Sequence, residues 1–189
     1  MPPGFVYEPH FLDAAEEQYL LEEISKIQLH TFLFQGYEAK RRVASFGYDY
    51  SFDKRSLSKG KDIPQAFDSL IDKVARYTMT PKDDFAELLV TEYPPGSVIN
   101  WHRDAPPFDT IAGISLLTDC TFRLRPHEKA KQTRASIHSL NVRRRSLYVI
   151  RDEARTAWEH SITPVRTTRY SITLRTLRSA SQTEKADKV

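Results

Sequence analysis

The sequence predicts an α+β protein, mainly β: an antiparallel sandwich or jelly roll with two N-terminal helices packed on it. Three observations carry this. Two amphipathic helical stripes stand near the front of the chain. From Phe85 onward, short apolar stretches alternate with Pro, Gly, Asn and Asp. The length of 189 residues, 40% of them hydrophobic, is enough for one domain with a substantial core.

The first helix is expected to start at Asp13, a carboxylate that can cap free backbone N–H groups, with Glu16 three residues on. Leu20, Leu21, Ile24 and Ile27 then recur at helical spacing. The second is expected from Asp62-Ile63-Pro64, because the fixed φ of proline suits a first turn; Phe67, Leu70, Ile71 and Val74 form its apolar stripe. Between them "RRVASFGYDYSFD" alternates as a strand, with Phe46, Tyr48, Tyr50 and Phe52 on one face. Downstream, "ELLVTEY", "VINWH", "TIAGISLL", "CTFRLR", "RASIHSL", "SLYVI" and "RYSITLRTL" read as strands. A single domain over 1–178 and a frayed polar tail over 179–189 are expected.

The net charge of +3 permits a polyanionic partner without demanding one. A single cysteine, Cys120, excludes an internal disulfide and a multi-cysteine zinc site, and its strand setting predicts a buried, inert thiol. No leader pattern and no apolar run long enough to span a bilayer is found. The expectation is a soluble, intracellular monomer, cytoplasmic if bacterial, with no membrane contact.

The stretch "NWHRDAPP" sets His102 and Asp104 two residues apart, on the same side of a strand. With six histidines and thirteen aspartates in the chain, chance supplies roughly 0.4 such pairs, so the pair alone means little. His160 in "TAWEHSITP" offers a second imidazole; His127 reads as a solvated loop residue and His138 as a satisfied strand histidine. Two imidazoles and one carboxylate leave coordination positions open, which suits Fe(II) that must bind further ligands, though zinc uses the same donors. In "RYSITLR", Tyr170, Ile172 and Leu174 share one face, while Arg169, Ser171, Thr173 and Arg175 share the other. Two arginines on one sheet face suit a dicarboxylate; the alternative is an edge strand with a wet, charged face.

Together these residues resemble the AlkB family of Fe(II)- and 2-oxoglutarate-dependent dioxygenases. Tyr93, nine residues before His102, falls where that family places a 2-oxoglutarate-contacting tyrosine. The piece "RRRSLYVIRDEARTAWEHSITP" is similar to the family's approach to its second metal histidine, and the resemblance runs from about Arg41 to Arg175. It implies a double-stranded β-helix (jelly-roll) core with Fe(II) on His102, Asp104 and His160. It further implies 2-oxoglutarate held by Tyr93, Arg169 and Arg175, with Arg166 as a rival for the distal carboxylate. Thr91 and Ser171 stand where the family usually has asparagine and keep hydrogen-bonding capacity.

The implied reaction converts 2-oxoglutarate to succinate and CO2 while a carbon–hydrogen bond is hydroxylated. On an N-methyl group the product releases formaldehyde, so demethylation of alkylated DNA or RNA bases is the activity expected. A substrate lid over about 33–62 is expected, with Tyr48 and Tyr50 as stacking rings and Arg42 among the phosphate-binding cations. Pro106 stands where DNA-repair members often carry an aspartate. That departure leaves RNA or protein substrates open, so a hydroxylase or demethylase of a protein is one alternative; a catalytically silent nucleic-acid-binding module is another.

Overall fold

A computed structural model describes residues 1–34, 37–51 and 54–179. Phe52 and the tail from Ala180 onward lie outside the described residues. In chain order the elements are β1 (Phe5–Glu8), α1 (Ala14–Ser25), β2 (His30–Phe34), β3 (Tyr37–Ser51), β4 (Ser56–Lys59) and α2 (Asp68–Thr78). Then come β5 (Phe85–Tyr93), β6 (Ile99–His102), β7 (Phe108–Leu116), β8 (Cys120–Pro126) and β9 (His138–Val142). The chain closes with β10 (Ser146–Ile150), α3 (Asp152–Thr156), β11 (Trp158–Ile162) and β12 (Arg169–Leu177).

Two antiparallel sheets face each other. The major sheet runs β1-β10-β7-β12-β5-β3-β2, with β4 paired to β3, and the minor sheet runs β6-β11-β8-β9. This is the expected jelly roll. β12 lies between β5 and β7, in the middle of the major sheet, so the edge-strand reading of its arginines does not hold.

Strand alternation divides the major sheet into two working faces. Leu88, Val90, Ile114, Ile172 and Leu174 point to the helical side, where they are fully buried against Leu20 and Ile24 of α1 and Leu70, Ile71 and Val74 of α2. Truncating any of these leucines to alanine costs about 2–5 kcal/mol. The opposite face meets Phe122, Leu124, Val142 and Ile162 of the minor sheet. Helix α1 begins as its sequence predicts: Asp13 Oδ1 accepts from Glu16 N at 2.8 Å, and Asp13 N donates to Glu16 Oε2 at 2.8 Å. Helix α2 is preceded by one 3₁₀ turn, Gln65–Phe67, so the regular helix starts later than Pro64 suggests.

β3 departs most from expectation. Its middle, Arg42 to Gly47, is an integral strand paired to β5, and its end, Tyr48 to Ser51, pairs with β4. Gly47 makes the change of partner at φ +82, where an added Cβ would lie 2.1 Å from Ala86 O. As a result Phe46 packs on the helical side while Tyr50 packs into the space between the sheets. The aromatics predicted to share one face are therefore split.

Candidate metal and cosubstrate site

Both sheets contribute to one polar cluster in the inter-sheet space. His102 ends β6 and His160 sits at the centre of β11, directly paired across the strands. Asp104 follows in the turn after β6. One ligand atom from each of the three lies within 4.8 Å of the others. His160 Nε2 and Asp104 Oδ2 are 3.5 Å apart. Octahedral ligands at ~2.1 Å from a metal stand roughly 3 Å from one another, so a small inward adjustment suffices. His102 Nδ1 donates to Asn100 O at 2.8 Å, which leaves Nε2 with its lone pair toward the cluster. His127 and His138 are elsewhere: the first contacts Glu159 at 2.8 Å, and the second packs beside Trp158.

Electrostatics keep the donors in their metal-binding forms. Burial pushes the Asp104 carboxyl up, but Arg175, His160 and His102 outweigh it and hold it below the usual carboxylate range. Burial, helped by His102, pushes the His160 imidazole down to about 3. An ionised carboxylate beside a neutral imidazole is the state a divalent cation requires.

The floor of the site is the inner face of the major sheet. Register aligns Ser146, Ser115, Ser171 and Thr91 in one row of small hydroxyl residues, all buried. Arg169 and Tyr93 form the next row, with the guanidinium 4.8 Å from the Tyr93 ring centre. Arg169 Nε donates to Ser115 Oγ at 3.1 Å, and the Tyr93 hydroxyl lies 3.4 Å from Ser171 Oγ. Arg169 is fully buried, yet neither Nη1 nor Nη2 has a hydrogen-bond partner among the described residues. Two unpaired guanidinium donors in a buried polar setting are what a carboxylate completes.

Arg175 has a different environment. Its Nη2 donates to Asp104 Oδ1 at 2.7 Å and its Nη1 to Glu87 Oε2 at 2.6 Å. Glu87 also accepts from Ser45 Oγ at 3.1 Å. Arg175 is thus clamped between two buried carboxylates at the metal end. Arg166 is exposed in the loop before β12.

The substrate candidates are placed unevenly. Tyr50 faces the inter-sheet core and Tyr48 is half-buried along β4. Arg42 points the other way, with its Nη2 2.5 Å from Glu92 Oε2 and Tyr170 close by on the helical side. Alternation instead turns Arg41 toward Tyr93. Its guanidinium lies 4.0 Å from the Phe32 ring centre and pairs with no carboxylate among the described residues.

Two further residues escaped the sequence reading. The Tyr148 ring lies over Gly113, so close that a Cβ there would sit 2.1 Å from Tyr148 Cζ. Burial, with Tyr93 nearby, lifts its phenol well above the ordinary range, so it remains a hydrogen-bond donor. Arg155 of α3 is buried, and its Nη2 donates to Asp104 O, Ala105 O and Phe108 O at 3.3, 2.8 and 2.8 Å. Alternation in "SLYVI" is the signal that could have set Tyr148 on the face opposite Leu147 and Val149, but a strand tyrosine reads as core. Nothing local marks Arg155, whose acceptors lie about fifty residues earlier.

A family model described as the 2OG-Fe(II) oxygenase superfamily matches residues 4–183. The chain belongs to that superfamily. It is an AlkB-family Fe(II)- and 2-oxoglutarate-dependent dioxygenase. The mouse protein named tRNA (carboxymethyluridine(34)-5-O)-methyltransferase ALKBH8 is 27% identical over 173 residues, covering 87% of this chain and 25% of the mouse protein. An Arabidopsis thaliana protein named "Alkylated DNA repair protein ALKBH8 homolog" is 25% identical over 181 residues, covering 85% of this chain and 51% of its own length. The oxygenase thus spans about a quarter to a half of these relatives. The solved structure titled "The structure of OsALKBH1" superposes with TM-score 0.73 at 13% identity, covering 93% of this chain and 98% of that one. A Pseudomonas putida prolyl-4-hydroxylase gives TM-score 0.62 at 14% identity, with 93% of each chain covered. Both share the fold. Among the described residues no helix is long and apolar enough to cross a membrane.

Proposed function

We propose that this oxygenase removes or hydroxylates an alkyl group on a base of single-stranded DNA or RNA. His102, Asp104 and His160 hold the Fe(II). Arg169, Tyr93 and Tyr148 take the distal carboxylate of 2-oxoglutarate over the floor that includes Thr91 and Ser171. The bound iron and cosubstrate supply oxidation of an unactivated carbon–hydrogen bond as 2-oxoglutarate becomes succinate and CO2. The chain's own residues bind, orient and exclude water. Arg155 fixes the backbone that carries Asp104, and Arg175 holds its carboxylate at the metal end. If the oxidised carbon is an N-methyl group, the resulting N–CH2OH loses formaldehyde by breaking its C–N bond, and nitrogen takes the proton.

The observation that carries the oxygenase half is Arg169, a fully buried guanidinium with two donors unmet. The nucleic-acid half is supported by the names of the relatives, one a tRNA-modifying protein and one an alkylated-DNA-repair protein. Arg41 and Tyr50, a half-buried cation without a carboxylate partner and a ring on the site side, suit phosphate and base. The test is succinate formation with Fe(II) and 2-oxoglutarate, stimulated by base-methylated oligonucleotides, with loss or oxidation of the methyl group read by mass spectrometry. Stimulation by methylated peptides, with oligonucleotides inert, overturns the nucleic-acid reading.

A further inference from the structure

The net charge of +3 conceals a strong asymmetry. The segment from Cys120 to Arg145, which forms β8, β9 and the turn beyond, contains eight Lys and Arg residues and one Glu. That leaves 20 cations and 24 acids in the rest of the chain. Some of the eight are locally neutralised: Lys131 pairs with Glu128, Arg125 with Glu159, and Arg144 and Arg145 with Glu17. Arg123, Lys129, Arg134 and Arg143 have no carboxylate within ion-pair distance among the described residues.

These cations border a particular surface. On the minor sheet, alternation sends Phe122, Leu124, His160 and Ile162 inward, and Thr121, Arg123, Arg125, Glu159 and Ser161 outward. Trp101, next to His102, also lies on the outer side. The Arg123 and Arg125 guanidinium carbons stand 4.8 and 4.4 Å from its ring centre. Arg123 Nε donates to Ser161 Oγ at 3.0 Å and Arg125 Nε to Glu159 Oε2 at 2.7 Å. The arginines are thereby held across β11 as ordered planes. β6, which carries both Trp101 and His102, is the edge strand of this sheet. The outer face is one side chain away from the metal ligand and is otherwise polar.

We infer that this face binds the sugar–phosphate backbone of a single-stranded nucleic acid running past the edge of β6 from the nucleotide in the site. The proposal deepens the nucleic-acid reading and rests on it. A strand needs cations spaced along its path and planar groups against which bases rest. Arg123, Arg125 and Trp101 supply the planes. The loop with Lys129 and Arg134 and the turn with Arg143 supply charge at the two ends of the β8–β9 hairpin.

The experiment uses the whole chain loaded with Ni(II) and 2-oxoglutarate. Anisotropy is measured with a fluorescein-labelled, unmodified single-stranded RNA of about 15 nucleotides, at salt concentrations spanning the range where phosphate contacts weaken. Arg134→Gln/Arg143→Gln alters two exposed side chains and leaves the fold intact. It should reduce the slope of log affinity against log salt by about 1.4, since each single-strand phosphate contact contributes about 0.7. Arg123→Gln should reduce it by about 0.7 and weaken binding several-fold, whereas Arg123→Lys should keep the slope. In separate assays with Fe(II) in place of Ni(II), turnover of 2-oxoglutarate without nucleic acid should not change in any of them. Wild-type slope and affinity in the double variant overturn the proposal, as does polyglutamate displacing the RNA as well as RNA of equal charge does. If methylated oligonucleotides are processed while these variants bind normally, only this surface is wrong. If wild-type protein neither binds nor processes oligonucleotides, the nucleic-acid function itself is wrong.

Discussion

Arg169 and Arg175 lie six positions apart on one face of one strand, yet their surroundings assign them different work. Arg175 is occupied by Glu87 and Asp104, so its charge holds the metal ligand in place. Arg169 has only Ser115 and the Tyr93 ring, so its remaining donors are available. An ammonium cannot reproduce two parallel guanidinium–carboxylate hydrogen bonds. Arg169→Lys should therefore raise the Michaelis constant for 2-oxoglutarate at least ~10-fold, equivalent to ~1.4 kcal/mol, with Arg166→Lys unchanged. Saturation curves for the two variants decide it, and an effect confined to Arg166 means that the distal carboxylate lies outside the floor described here. Arg175→Lys should fall on turnover instead. Tyr148→Phe keeps the ring against Phe122, whose centre is 4.9 Å away, and removes only the hydroxyl. A charge-assisted hydrogen bond is worth about 1.5–3 kcal/mol, so 2-oxoglutarate affinity of the Ni(II) protein should fall roughly 10-fold or more. Affinity for oxalate, which has no distal carboxylate, should not move; equal loss of both would make Tyr148 a packing residue.

At the level of elements, what could be read from sequence was what local chemistry encodes. The Asp13–Glu16 pair announced α1, apolar stretches between turn residues gave β5 to β10 and β12, and alternation gave the faces of Arg169 and Arg175. The pairing of His102 with His160 depends on sheet assembly and was reached through resemblance. β1, β2 and β4 were missed; each is short, and β1 is held as a strand by pairing with β10, far along the chain, which no local pattern announces. The split of Phe46 from Tyr50 was invisible because a single left-handed residue, Gly47, breaks an otherwise regular alternation. Gly47→Ala should cost well over 1 kcal/mol, seen as a lowered denaturation midpoint, because both the φ and the 2.1 Å approach to Ala86 O oppose it. α3 was likewise missed, though it clamps the metal loop: Pro3 O and Gly4 O receive Ala154 N and Arg151 N, and Arg155 then gathers three carbonyls after His102. Arg155→Met should strip those acceptors of their donor, lowering stability by about 1–3 kcal/mol and weakening Ni(II) binding. Arg155→Lys should restore part of both. Metal affinity unchanged in a destabilised Arg155→Met protein would limit the residue to a structural role.

Across the whole molecule, the site is the place where the two sheets are bridged by polar groups as well as by packing. His102 and His160 belong to the minor sheet, whereas Arg169, Arg175 and Tyr93 belong to the major one. A ligand that spans metal and Arg169 therefore ties the layers together, and a ligand bound only by the folded state stabilises it by mass action. At about 100 times its dissociation constant, 2-oxoglutarate adds about 2.7 kcal/mol, which for a domain of this size is a rise of roughly 5–10 °C in melting temperature. The rise should need both partners, because the keto acid is anchored at one end by the metal and at the other by Arg169. Ni(II) with 2-oxoglutarate should exceed the sum of the two separate shifts. The excess should vanish in Asp104→Ala, which loses the metal, and shrink in Arg169→Lys, which keeps the metal and loses the distal grip. Calorimetry on the four combinations of Ni(II) and 2-oxoglutarate gives the coupling directly. Strictly additive shifts in the wild-type protein would mean that the two ligands do not share one site, and that Arg169 meets some other anion.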